Sequence, residues 1–228
     1  MEDNDNVNNE VSKTIQYRSR TIQTTARRIF SNRHVYLLSV PQNPISAWLP
    51  GFLCPWLKWF LPEWFMPSKV ILKERNTQKA DEFDNEIETY KRLQSLQGYC
   101  IPVMFGEAAS CKTSHVHISN RPAPAILLQN VQGVPLHELP VEQLEDPSLL
   151  KELESAYTSF TENGIVHGDP ELHNFLRDTN GRVFAIDLEL SHLPIHVTNE
   201  HELETLKDRI QELIAGIKGD GRHRMKAR

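Results

Sequence analysis

Cysteine, glycine and uninterrupted apolar sequence are all in short supply in this chain, and each shortage narrows what it can be. Its three cysteines, Cys54, Cys100 and Cys111, make neither an even disulfide framework nor a CxxC metal pair. That usage suits a reducing compartment and leaves them as packing residues. A concentrated excess of Lys and Arg is also missing: the formal net charge is -5, so no nucleic-acid partner is expected. The first residues, with Glu2, Asp3 and Asp5 among asparagines, hold no apolar signal core. Secretory and mitochondrial targeting are therefore not expected, and a cytoplasmic location is the default. Of ten glycines, only Gly51 precedes Lys73. No internal repeat is evident. What remains is ordinary: 39% hydrophobic and 24% charged residues over 228 positions, enough for one large domain or two small lobes.

Residues 1–17 are polar and Asn-rich and are expected to be a disordered tail. Between Arg18 and Arg33 the charge reverses, with Arg18, Arg20, Arg27, Arg28 and Arg33 and no acidic residue among them. This reads as a solvated face in preference to a phosphate or lipid patch. All four tryptophans (Trp48, Trp56, Trp59, Trp64) fall within residues 45–66. Pro50, Pro55 and Pro62 break any continuous helix there, and Lys58 and Glu63 would lie in hydrocarbon, so a spanning helix is not expected. The segment reads as an aromatic flap on its own domain; the alternative is contact with a protein groove or a membrane surface, which would make the protein peripheral at membranes.

Lys69 to Lys73 reads as a strand, and Asp81 to Leu96 as a helix with Phe83, Ile87, Tyr90 and Leu93 on one face and Gly98 as its stop. His115 to Ser119 and Ala125 to Gln129 read as two strands. Gly133 and Pro135 mark a boundary between a first region, 18–132, and a second, 133–218. In the second, Asp146-Pro147 caps a helix carrying Leu149, Leu153, Tyr157 and Phe160. Asn180-Gly181 signals a hairpin with positive φ at both turn positions. Asn199 and Glu202 form a capping signature for a last helix, and residues 219–228 read as a basic tail.

The chemistry lies in the run His167-Gly168-Asp169-Pro170-Glu171-Leu172-His173-Asn174. Phosphoryl transfer asks the protein mainly to position phosphates, metal ions and an acceptor hydroxyl. Asp169 supplies a carboxylate beside the acceptor, Asn174 an amide oxygen five residues on, and Asp187 a second metal ligand carried back by the hairpin. Such an all-oxygen set suits Mg²⁺. Glu171 and His173 face either the acceptor or the packing behind it, and Glu189 is either a third metal ligand or a hairpin cap.

Gly164 to Leu176 and Ile186 to Glu189 resemble the catalytic and metal-binding loops of the protein-kinase and aminoglycoside-phosphotransferase superfamily, and Leu93 to Gly98 with Ile101-Pro102 resemble compact kinase-like proteins of fungal genomes. The resemblance implies an α+β, two-lobed protein-kinase-like fold with a reduced N-terminal lobe and a truncated C-terminal lobe. It also implies ATP and Mg²⁺ as cofactors. His167, Asp169 and Asn174 would be catalytic-loop residues, with Asn174 and Asp187 on the metal. Lys73, paired with Glu86, would contact the nucleotide phosphates, and the strand and hinge through Gln129 and Val131 would meet adenine.

The chain departs from that pattern in several places. The glycine-rich loop over the phosphates is missing, and Leu188-Glu189 stand where protein kinases have Phe-Gly. Gly168 replaces the arginine that in many kinases receives a phosphorylated loop. Only 41 residues follow Asp187, too few for the usual peptide-binding lobe. Two functions are consistent with this mixture: an ATP- and Mg²⁺-dependent phosphotransferase to an unidentified hydroxyl acceptor, or a pseudokinase serving as a nucleotide-sensing or protein-interaction module.

Overall fold

Strand β1 (Glu10–Tyr17) turns Lys13, Ile15 and Tyr17 to one side, and β2 (Arg20–Arg28) turns Ile22, Thr24 and Ala26 to the same side. This period-2 alternation is what a half-buried strand requires. The structure is a computed structural model describing residues 10–30, 33–42, 61–111, 122–194 and 198–226. It divides into two compact units, residues 1–80 with 103–130, and residues 81–102 with 131–228.

The first unit is a closed barrel. β3 (Val35–Ser39), β4 (Lys69–Glu74), β5 (Met104–Cys111) and β6 (Ala123–Gln129) complete it in the order β1-β2-β3-β4-β6-β5, every pair antiparallel. Closure comes from β1, which pairs with β2 along its length and with β5 through Ile15 opposite Ser110. Ile15, Tyr17, Leu38, Leu72 and Leu127 fill the interior.

Among its described residues the second unit contains four α-helices: α1 (Ala80–Arg92), which belongs to it from Asp81 on, α2 (Val141–Leu144), α3 (Pro147–Glu162) and α4 (Asn199–Lys226). A small antiparallel sheet, β7 (Gly133–Pro135), β8 (Phe175–Asp178) and β9 (Val183–Ala185), accompanies them. Asp146 caps α3 as expected, its carboxylate accepting from the Ser148 N–H at 2.9 Å. No helix among the described residues is long and apolar enough to cross a membrane.

These observations overturn the expected two-lobed kinase-like fold with a reduced N-terminal and truncated C-terminal lobe: the chain is α+β, with a closed six-stranded barrel. The physical reason is β1. Residues 10–17, expected to belong to a disordered tail, cover both sheet edges that would otherwise be open, and closure abolishes edges. The region expected to run from 18 to 132 is divided as well, because α1 packs with the second unit. Most of the expected tail at 219–228 continues α4, which runs to Lys226. His115 to Ser119 and most of the Trp-rich segment lie outside the described residues.

Two local expectations also change. In the β8–β9 hairpin only Gly181, at φ 83°, takes positive φ. The turn is organised instead by Asp178, whose Oδ1 accepts from the N–H groups of Asn180 (2.8 Å) and Arg182 (2.9 Å). At the start of α4 the cap is Thr198, not Asn199: its Oγ1 accepts from the His201 N–H at 3.3 Å. That frees Asn199 and Glu202 for the contacts described next.

Candidate active site

The loop after α3 enters through Ile165 and Val166, both buried, and is tied to the segment after β9 by paired bonds. The Val166 N–H donates to the His192 carbonyl at 2.8 Å, and the His192 N–H donates back at 3.0 Å. His167 follows, 1% exposed, with its ring 5.2 Å from that of Phe175 and 6.2 Å from that of Phe160. Its Nδ1 accepts from the Asp169 N–H at 3.3 Å, so the proton sits on Nε2 and is donated to the Ile186 carbonyl, 3.1 Å away. Burial lowers the pKa of this imidazole below its ordinary value, against the opposing pull of the Ile186 carbonyl and of Asp169 and Asp187. His167 is thus a neutral buried strut that fixes the backbone at Asp169 and at Ile186.

Gly168 occupies φ 86°, and a Cβ there would stand 2.1 Å from the Leu190 carbonyl oxygen. Its N–H donates to Glu202 Oε1 at 2.8 Å, and Ser191 Oγ donates to the His167 carbonyl at 3.1 Å. Asn199 Nδ2 donates to the Ile165 carbonyl at 2.8 Å. The N-terminal turn of α4 therefore holds the base of the loop from behind. Glu202 is 3% exposed, and burial raises the pKa of its carboxyl, only partly offset by the Gly168 N–H.

Asp169 is half-buried, and Asn174 Nδ2 donates to its Oδ2 at 2.8 Å and to its carbonyl at 3.2 Å. Asn174 also places Asp187, because its carbonyl accepts from the Ile186 N–H at 2.8 Å. Asp187 itself has left-handed backbone, φ 62° and ψ 59°, a conformation that costs a non-glycine residue about 1 kcal/mol or more and recurs at functional sites. Oxygens of Asp187, Glu189 and Glu86 all lie within 4.8 Å of one another. Glu86 comes from the buried face of α1 and is 0% exposed. One residue earlier on the same helix, Asn85 Nδ2 donates to the carbonyls of Glu189 (2.9 Å) and Ser191 (2.8 Å) and so fixes the loop that carries the other two carboxylates. Hard all-oxygen donors at this spacing fit a divalent cation such as Mg²⁺.

The structure brings together Asp169, Asn174, Asp187, His167 and Glu86 of the expected residues, and Glu189 joins them as a carboxylate of the cluster. Lys73 and Gln129 belong to the barrel unit, Val131 to the other. The Gln129 N–H, one of the backbone donors expected for adenine, is taken by the Val103 carbonyl at 2.8 Å. Glu171 is drawn toward α4 by Arg209, 2.5 Å from its carboxylate, and the exposed His173 stands edge-on to His137. Sequence reasoning gave no role to Asn85 and read Glu202 only as a cap. Asn85 has Asp81, Glu82, Glu88 and Thr89 as its helical neighbours, so its polar type stood out from nothing in the sequence.

No protein-family model matches this chain, and no curated protein matches it either.

Proposed function

We propose that this chain is an ATP- and Mg²⁺-dependent phosphotransferase to a hydroxyl acceptor, working in the cytosol. The observation that carries the reading is the placement of Asp169, Asn174 and Asp187 by one continuous hydrogen-bond network, with the Asp187, Glu189 and Glu86 carboxylates gathered beside it. In this reading Asp169 orients the acceptor hydroxyl and takes its proton, and the Asn174 amide keeps the aspartate turned in one direction. Asn174, Asp187 and Glu189 would hold the metal, with Glu86 supplying charge from behind. Mg²⁺ supplies neutralisation of phosphate charge when bound.

The test is transfer from γ-labelled ATP, with Mg²⁺, into pooled metabolites and lysate proteins by the purified full chain, alongside Asp169→Asn and Asp187→Asn. Each variant is expected to lose activity on the order of a thousandfold, several kcal/mol of transition-state stabilisation. Variants that transfer as fast as the parent protein would refute the assignment. A second reading, the nucleotide-sensing or protein-interaction pseudokinase, is favoured by the single glycine before Lys73. It predicts stabilisation by Mg²⁺-ATP, about 2.7 kcal/mol at a hundred times the dissociation constant, without transfer.

A further inference from the structure

The Trp-rich segment, residues 45–66, has no part in phosphoryl transfer, and its last six residues belong to the barrel unit. Pro62–Trp64 form one 3₁₀ turn. The Trp64 N–H closes it on the Leu61 carbonyl at 3.0 Å, and the Phe65 N–H follows on the Pro62 carbonyl at 3.1 Å. Proline suits the start of such a turn, because it has no N–H to leave unpaired. Just beyond, Met66 is buried in the barrel core and anchors the chain there.

The tip of the β1–β2 hairpin holds the turn in place. Ser19 Oγ donates to Glu63 Oε1 at 2.8 Å. The Arg20 guanidinium donates to the Glu63 carbonyl at 3.1 Å and lies 4.6 Å from the centroid of the Trp64 ring. Glu63 is therefore only 3% exposed. Residues 45–66 carry two charges, Lys58 and Glu63, and the fold withdraws the acidic one from the surface. A carboxylate turned inward is no obstacle to contact with lipid.

The turn presents Leu61 and Trp64 outward, 42% and 38% exposed. Scattered apolar residues on a surface are ordinary. These two are the fixed ends of one hydrogen-bonded turn, and one of them is an indole backed by a guanidinium. That combination is amphipathic: the ring suits the boundary between headgroups and acyl chains, and the arginine stays at the level of the phosphates. Arg18 is exposed at the same hairpin tip, 5.9 Å from the Tyr17 ring. With Glu63 withdrawn, the charges in and beside the segment are basic, and their sign complements an anionic leaflet. Residues 45–60 have the matching composition, with Trp48, Phe52, Trp56, Trp59 and Phe60 and Lys58 as the sole charge.

We infer that the turn from Leu61 to Trp64, clamped to the β1–β2 tip, is an anchor for the surface of an anionic lipid bilayer. Leu61 and the Trp64 indole enter the headgroup–acyl boundary, and Arg18 meets the lipid phosphates. The contact is superficial and does not depend on phosphotransferase activity.

The test is flotation of the full chain with vesicles of phosphatidylcholine alone and of equal parts phosphatidylcholine and phosphatidylserine. The parent protein is expected to float with the mixed vesicles and more weakly with phosphatidylcholine. Leu61→Ser and Trp64→Ser, both exposed and outside the barrel core, are each expected to weaken partitioning about fivefold. Trp64→Phe keeps an aromatic anchor and is expected to retain most of it. Arg18→Ala is expected to weaken binding to the mixed vesicles about fivefold and to leave binding to phosphatidylcholine unchanged. Asp169→Asn is expected to float like the parent, which separates this inference from the catalytic reading. The inference is overturned if the parent floats with neither vesicle, the outcome a protein-groove contact predicts. It is also overturned if the double variant Leu61→Ser with Trp64→Ser floats as well as the parent.

Discussion

Replacing Gly168 by alanine is the most direct probe of how the catalytic-type loop is held. Two costs combine. Alanine at φ 86° loses about 1–2 kcal/mol for its left-handed backbone. The new Cβ would also lie 2.1 Å from the Leu190 oxygen and 2.7 Å from its carbonyl carbon, so the two segments must separate by roughly 1 Å to reach ordinary contact. The Val166–His192 bonds and the Ser191 Oγ bond to the His167 carbonyl span that junction, and separation strains or breaks all three. At about 1 kcal/mol each, these bring the total to about 4 kcal/mol. Gly164→Ala isolates the first cost: its φ is 65° and nothing lies within 4 Å of the added carbon, so it should lose only about 1 kcal/mol. Urea unfolding followed by far-ultraviolet circular dichroism measures both variants. The reasoning fails if Gly168→Ala costs no more than Gly164→Ala.

For Glu202, burial raises the folded carboxyl pKa above its ordinary 4.5, so its stabilising contribution is complete below that value and is lost as pH rises through the raised one. Glu202→Gln keeps an acceptor for the Gly168 N–H and should remove this pH-dependent loss, leaving the variant at least as stable as the parent at neutral pH. Glu202→Ala should instead be less stable by about 1 kcal/mol or more, and equal destabilisation by Gln and Ala in a melting-temperature series would contradict the account. The His167 pKa is lowered by burial, so its contribution is complete above its ordinary 6.5 and declines as pH falls below it. Nitrogen-detected NMR should show the Nε2–H tautomer titrating below 6.5, and titration above that value would refute a buried neutral strut. Leu153→Ala, at a fully buried position on α3, should cost about 3 kcal/mol in urea unfolding, with a loss under about 1 kcal/mol excluding its place in the core.

The legible parts of the sequence were those whose signal is local. α3 announced itself through Asp146-Pro147 and the spacing of Leu149, Leu153, Tyr157 and Phe160, because cap chemistry and helical periodicity act within a few residues. β4, α1 and the β8–β9 hairpin were legible for similar reasons, and Asp169, Asn174 and Asp187 could be named from spacing alone. β1 and β2 were not. Their inward positions include Lys13 and Thr24, which are polar in sequence and become interior only because Glu74 and a backbone carbonyl on other strands receive them. The hairpin turn was misjudged because Asp178, outside the Asn-Gly pair, satisfies its amides.

Spacing and residue type by themselves determined α1, α3 and α4, the strands β4, β6, β8 and β9, and the identity of the polar groups in the loop from His167 to Asn174. Tertiary structure decided the closed barrel, the grouping of Glu86 with Asp187 and Glu189, and the hold of Asn85 and Glu202 on the site. The division follows from range. Propensity and capping are settled within one or two turns of chain, whereas Gly168 and Glu202, 34 residues apart, have their partners chosen only when the folded backbone brings distant segments into contact.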